Sequence, residues 1–168
     1  MLNSDRAVNF VLKRLAEMPF LADCFFEYLK IFADREKVKE GIVQFLTSPN
    51  NIHEWQEMWL LFTISKADRL DESQLKVVRE IIGNDSKHWA SRAAAIIVLG
   101  KLGNNKNRKW LRDLYSNENE YYIKRAIAVS MRGLPKLART KFYTEIKKES
   151  YDTRRLVKYL KQERIETI

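Results

Sequence analysis

Cations crowd the C-terminal half of this chain in clusters that resemble one another. Lys106, Arg108, Lys109 and Arg112 form the first. Lys136, Arg139 and Lys141 form the second, with Arg132 one turn earlier. Arg154, Arg155, Lys158 and Lys161 continue the charge at helical spacing. Such clusters, with few acids between them, suit the neutralisation of phosphates and the release of their counterions. Contacts of that kind give affinity without reading a base sequence. Exposed aromatics in the same region, such as Tyr121, Tyr143 or Tyr151, would add stacking on bases. The same rings at helical spacing also suit a core. A lone run of charge is ordinarily a solvated face, whereas three clusters in register describe a surface.

Other chemistries find little support. His53 and His88 are the only histidines, and neither has a His or Cys neighbour at metal-ligand spacing. Each precedes a helical pattern and reads as a first-turn residue. There is no Ser-His-Asp order, Gly-rich phosphate loop or His-Glu-x-x-His. Glu54, Glu57, Glu118 and Glu120 read as acidic first-turn residues favoured by the helix dipole. Cys24, the one cysteine, excludes an internal disulfide. Within Phe20-Leu-Ala-Asp-Cys-Phe-Phe it reads as a small buried hydrophobe of a protein from a reducing compartment. No catalytic residue, metal or cofactor is expected.

The charge is unevenly divided. Residues 1–84 hold 11 Lys and Arg against 13 Asp and Glu, while residues 85–168 hold 20 against 9. The overall charge of +9 thus lies in one half, which suggests a polyanionic partner for that half. With 45% apolar residues the chain is globular, and only 5 Gly and 3 Pro favour long helices over a turn-rich β fold. The N-terminus has no basic start before an apolar run. No window approaches the ~18 apolar residues of a membrane span. A cytoplasmic protein without a membrane partner is expected.

These cations must be positioned by helices that repeat. Trp89-Ala-Ser-Arg92-Ala93-Ala-Ala-Ile96-Ile-Val-Leu-Gly100 aligns with Tyr122-Ile-Lys-Arg125-Ala126-Ile-Ala-Val129-Ser-Met-Arg-Gly133 at a constant offset of 33 residues. That period suits a stacked helix pair. Periodicity predicts helices over 4–18, 19–32, 35–47, 52–69, 71–83, 87–102, 106–116, 119–134, 137–148 and 152–163. Asp71 or Ser73 would cap the fifth, and Gly83 would end it in the usual C-terminal glycine role. Ala93, Ala94, Ala95, Ala126 and Ala128 allow close helix approach, with Ile96, Val98, Ile127 and Val129 filling the layer between. Residues 54–83 fit a degenerate copy, Trp55 standing where Trp89 does. Residues 1–48 show no copy.

Asp85-…-Arg92-Ala93-Ala94-…-Leu99-Gly100-Lys-Leu-Gly103 resembles the short HEAT-like repeats also seen in phycobilin-lyase proteins. Glu118-…-Arg125-Ala126-…-Gly133-Leu134-Pro135 matches that pattern less fully. The resemblance covers 88–149 well and 54–83 loosely. It implies an all-α fold: a right-handed α-α superhelix, a HEAT-like solenoid of about ten helices. Residues 1–50 would form an N-terminal helical cap and 51–168 the repeats, as one continuous domain. It implies no activity. Lys124-Arg125-Ala126 through Leu134-Pro135, then Arg139-x-x-Phe142-Tyr143, also resembles the helical region following the polymerase in some bacterial reverse-transcriptase-like defence proteins. That kinship implies a module appended to, or working beside, a larger protein.

Arg92 and Arg125 share one repeat position. Either they pair with an acid of the preceding turn or cap carbonyls of the adjacent helix, or they extend a row of surface cations. A family of alkylbase DNA glycosylases built of HEAT-like repeats uses Trp, Asp and Arg in a basic groove, and Trp89, Arg92, Trp110 and Asp113 are the residue types it would need. The favoured expectation is a non-catalytic module whose basic surface contacts nucleic acid or a nucleic-acid-processing enzyme. The rivals are a scaffold docking an acidic protein and, third, such a glycosylase.

Overall fold

Apolar side chains recurring every third or fourth residue drive each segment of this chain into a helix with one buried stripe. The computed structural model describes residues 5–17, 22–48, 53–148, 154, 157 and 158. In chain order the helices are α1 (Asp5–Glu17), α2 (Ala22–Ile31), α3 (Glu36–Thr47), α4 (Glu54–Ile64), α5 (Glu72–Gly83), α6 (Trp89–Leu102), α7 (Asn105–Asn117), α8 (Tyr121–Ser130) and α9 (Lys136–Ile146). Arg154, Val157 and Lys158 are also helical, and the rest of the expected helix over 152–163 lies outside the described residues. The described residues contain no strand. None of their helices is long and apolar enough to cross a membrane.

Local chemistry explains where the helices begin and end. Asp71, not Ser73, caps α5: its carboxylate accepts from Gln74 N at 2.8 Å, and Gln74 Oε1 accepts from Asp71 N at 3.1 Å. Ser73 instead donates its hydroxyl to Asp71 at 2.6 Å. Gly83 is the last residue of α5, without the left-handed conformation expected of a glycine cap. α4 stops at Ile64, short of the expected 69, where the Ser65 hydroxyl turns back to Phe62 O at 2.7 Å. The helix expected over 119–134 stops at Ser130 and tightens into a 3-10 turn, Met131–Gly133. Pro135 accounts for this, because it drives Leu134 out of the α region, to ψ 151°.

The helices pack in an alternating order. α2, α4, α6 and α8 contact one another in succession, as do α1, α3 and α5. Sequential helices α3 and α4, α5 and α6, and α7 and α8 also touch. α4, α6 and α8 run in the same direction. Trp89 stacks on Tyr122 where α6 and α8 start, Gly100 meets Ser130 where they end, and Lys101 Nζ reaches back to Ser65 O at 2.6 Å. One core runs from Val8 to Val157 through all nine helices among the described residues. Ala94, Ala95, Ala126 and Ala128 lie inside it, as expected, whereas Ala93 and Val129 are half-buried.

One expectation about exposure is corrected, and one open alternative is decided. Cys24 is exposed, not buried. Phe26 and Leu29 supply the buried stripe of α2, and Cys24 falls two residues out of phase with it. Tyr143 takes the core alternative and is buried. Its hydroxyl donates to Ala128 O at 3.1 Å, tying α9 to α8, and burial raises its pKa above the ordinary phenol value.

Gly100 sets the approach of α6 to α8. A Cβ there would fall 2.3 Å from Ser130 Cβ and 3.0 Å from Ser130 Cα, so the two backbones must separate. Gly100→Ala is expected to lower stability by about 1–3 kcal/mol through overpacking. Gly83 provides the contrast: nothing lies within 4 Å of its would-be Cβ. Gly83→Ala should stabilise by about 0.4–1 kcal/mol through the unfolded chain. Thermal melts of the two variants should therefore shift in opposite directions.

Candidate nucleic-acid interface

The cations singled out in the sequence divide into three groups. Lys106 and Lys109 on α7, Lys136 and Lys141 on α9, and Arg154 and Lys158 beyond it are all exposed. Among the described residues, none of these six forms an ion pair. Arg108 and Arg139 behave differently, and alike. Arg108 Nε donates to Gly100 O at 3.2 Å, and Arg139 Nη1 donates to Arg132 O at 3.0 Å. Each arginine thus folds back onto a carbonyl just past or at the end of the preceding inner segment. Cations are favourable at that negative end of a helix, and a neutral acceptor leaves their charge in place. Arg132, half-buried in the 3-10 turn, supplies one of these carbonyls.

Arg112 is the third case. Its Nη2 pairs with Glu145 at 2.9 Å, tying α7 to α9 and cancelling its charge. Arg155 lies outside the described residues, as does Lys161. The turns that open α7 and α9 are neighbours. Arg108 Nε and Nη2 lie 3.6 and 3.7 Å from where a Cβ on Gly133 would sit. Tyr115 of α7 also meets Phe142 of α9 edge-on at 5.3 Å.

The repeat-equivalent arginines diverge. Arg92 is buried, with 8% of its surface exposed. Its Nη2 lies 2.9 Å from Glu118 and 3.2 Å from Asp85, and its Nε donates to Ile82 O at 3.0 Å. Arg92 therefore takes the structural role. Arg125 is exposed and has no ion pair among the described residues. In the sequence, the position one period after Glu118 is Tyr151, which has no carboxylate. Glu118 also accepts from Asn119 N and Glu120 N at 2.8 and 2.9 Å. Burial by itself raises its pKa. The two N–H groups and the Arg92 guanidinium outweigh burial and hold it below the ordinary glutamate value.

The residues with catalytic potential are mostly occupied by structural work. His53 Nδ1 accepts from Trp55 N at 3.4 Å and His88 Nδ1 from Ala90 N at 3.3 Å. Both are N-caps, one position earlier than first-turn residues. Glu120 does the same for α8, accepting from Tyr122 N at 3.4 Å. Glu57 is buried against Lys87 Nζ. Of the four glycosylase-type residues, Arg92 is committed to Glu118, Asp85 and Ile82, while Asp113 is exposed on α7. The described residues hold no group of three His, Cys, Asp or Glu placed for a metal.

One feature escaped the sequence reading. Trp55, Trp89, Tyr121 and Tyr122 are half-exposed at the starts of α4, α6 and α8. The signal was present in the aligned aromatic of each repeat, which marked the period without revealing which way the ring faces. Tyr121 was expected as a possible surface ring and is one, whereas Tyr151 lies outside the described residues. No family model, curated protein or solved structure matches the chain.

Proposed function

We propose that the chain is a non-catalytic binding module, a right-handed superhelix of HEAT-like repeats over 51–168 with residues 1–50 as its cap. Its basic C-terminal surface contacts nucleic acid or an enzyme bound to nucleic acid. The observation that carries this reading is the uncompensated state of the exposed cations. Lys106, Lys109, Lys136, Lys141, Arg154 and Lys158 have no ion pair among the described residues. Arg108 and Arg139 add charge held only by carbonyl oxygens. Like charges on neighbouring turns repel one another, and an anionic partner relieves that repulsion. The alternating helix contacts and the parallel course of α4, α6 and α8 support the stacked-hairpin architecture.

Salt dependence tests the reading. Labelled single strands and duplexes should bind at low salt, and log affinity should fall linearly with log salt. Six phosphate contacts would give a slope of about −4 to −5. Absence of binding at low salt, or binding indifferent to salt, overturns the proposal. Retention on an acidic protein instead would assign the surface to a scaffold.

A further inference from the structure

Rings, more than charges, mark the end of the inner layer where α4, α6 and α8 begin. Trp55 is the second residue of α4, Trp89 the first of α6, and Tyr121 and Tyr122 open α8. Because these helices run the same way, the repeat brings the rings to one height. Trp55 and His88 have centroids 6.4 Å apart, and His88 and Trp89 5.3 Å. Trp89 and Tyr122 stack at 4.6 Å with 25° between their planes, and Tyr121 meets Tyr122 edge-on at 5.5 Å. The Trp and Tyr residues are each 41–49% exposed. Scattered exposed rings need no explanation, but a continuous ribbon of them signals a binding surface.

The charges around the ribbon narrow its partner. Glu57 is held by Lys87, and Asp85 and Glu118 by Arg92. Glu120 caps α8, and Glu54 faces His88 at 3.8 Å. Arg125, one turn beyond the tyrosines, is exposed with no ion pair among the described residues. Tyr122 and Arg125 are exposed one turn apart on α8, and Arg132 is half-buried in the 3-10 turn that follows, where its carbonyl accepts from Arg139 of α9. The ribbon therefore leads into the cations around α9. A ligand matching both needs open flat faces at one end and phosphates along its length. Unpaired bases offer such faces, whereas a duplex keeps them inside its own stack.

The geometry points to the row Trp55–His88–Trp89–Tyr122–Tyr121 as a base-stacking platform for single-stranded nucleic acid, with Arg125 leading its phosphates toward the cations of α9. This assignment rests on the nucleic-acid reading above. The test compares a labelled oligothymidylate with a hairpin duplex on the intact chain. Trp89→Ala and Tyr122→Ala should each weaken single-strand binding about 5- to 100-fold while leaving duplex affinity unchanged. Trp89→Phe keeps an aromatic face and should bind as the parent does, which separates stacking from damage to the fold. Parent-like single-strand binding by both alanine variants overturns the platform while leaving salt-dependent binding standing. If the parent binds neither strand nor duplex, the functional proposal falls and the platform with it. Tryptophan quenching by a proline-rich peptide, and none by oligonucleotides, would give the row to a protein partner and also overturn it.

Discussion

Arg92→Ala should destabilise the protein by about 3–5 kcal/mol, because it strands a partly buried carboxylate. Three bonds vanish together: those to Glu118, Asp85 and the Ile82 carbonyl. For a chain of this size the melting temperature should fall by roughly 6–20 °C. Arg125→Ala, at the equivalent position but exposed, should stay within about 0.5 kcal/mol of the parent. Equal losses at both sites would show that repeat position, and not the Glu118 contact, sets the cost. Removing both partners in Arg92→Met with Glu118→Leu should recover much of the loss, since no charge is then left alone. Acid provides an independent measure. The folded-state pKa of Glu118 is lowered, so its contribution is full above its unfolded value and disappears as pH falls through the folded one. The parent should lose stability between about pH 5 and pH 3, and Glu118→Gln should lose less over that window. Glu36, lowered first by the Lys39 hydrogen bond, and Asp71, lowered first by the Ser73 hydroxyl, titrate in the same direction in both proteins. The slope of the variant is therefore reduced and not abolished.

Arg92 and Arg125 also mark how far the sequence could be read. Helix positions were legible because apolar spacing reports burial directly, and the 33-residue offset placed α6 and α8 as equivalents. Gly100, shared with Gly133 in that alignment, proved to be a contact of backbone on side chain at Ser130. What repetition could not report was the partner. Arg92 is inside and held by Glu118, whereas Arg125 is exposed with no ion pair among the described residues. The same limit applied to the cations: Arg108, Arg112 and Arg139 looked interchangeable with their lysine neighbours. A guanidinium can bend back onto a carbonyl or reach a glutamate 33 residues on, and only the fold decides which. Cys24 was misplaced for a related reason. In a run apolar on every side, composition does not give the phase of the stripe, and the phase followed Phe26 and Leu29.

Two of the lysines that remain open occupy positions unfavourable to the fold itself. Lys106 is the second residue of α7 and Lys136 the first of α9, and neither helix has an acid in its first turn. A cation there opposes the helix dipole, and a carboxylate in its place would be favourable by about 0.3–1 kcal/mol. Reversing Lys106, Lys109, Lys136 and Lys141 to Glu should therefore leave the melting temperature unchanged or raise it. Binding should move the other way. Each lost phosphate contact removes about tenfold in affinity at 0.1 M salt, so the four together remove about 10³–10⁴-fold and flatten the salt slope by about 3–4. A matched control reverses Arg6, Lys13, Arg69 and Lys76, which are also exposed but lie in the other half of the chain. Both variants carry the same net charge, so a general electrostatic effect would strike them equally. Affinity that survives in the control and collapses in the first variant, with stability unharmed, assigns these lysines to a partner. Equal loss in both would reduce the interaction to bulk charge, and the turns of α7 and α9 would have no special part in it.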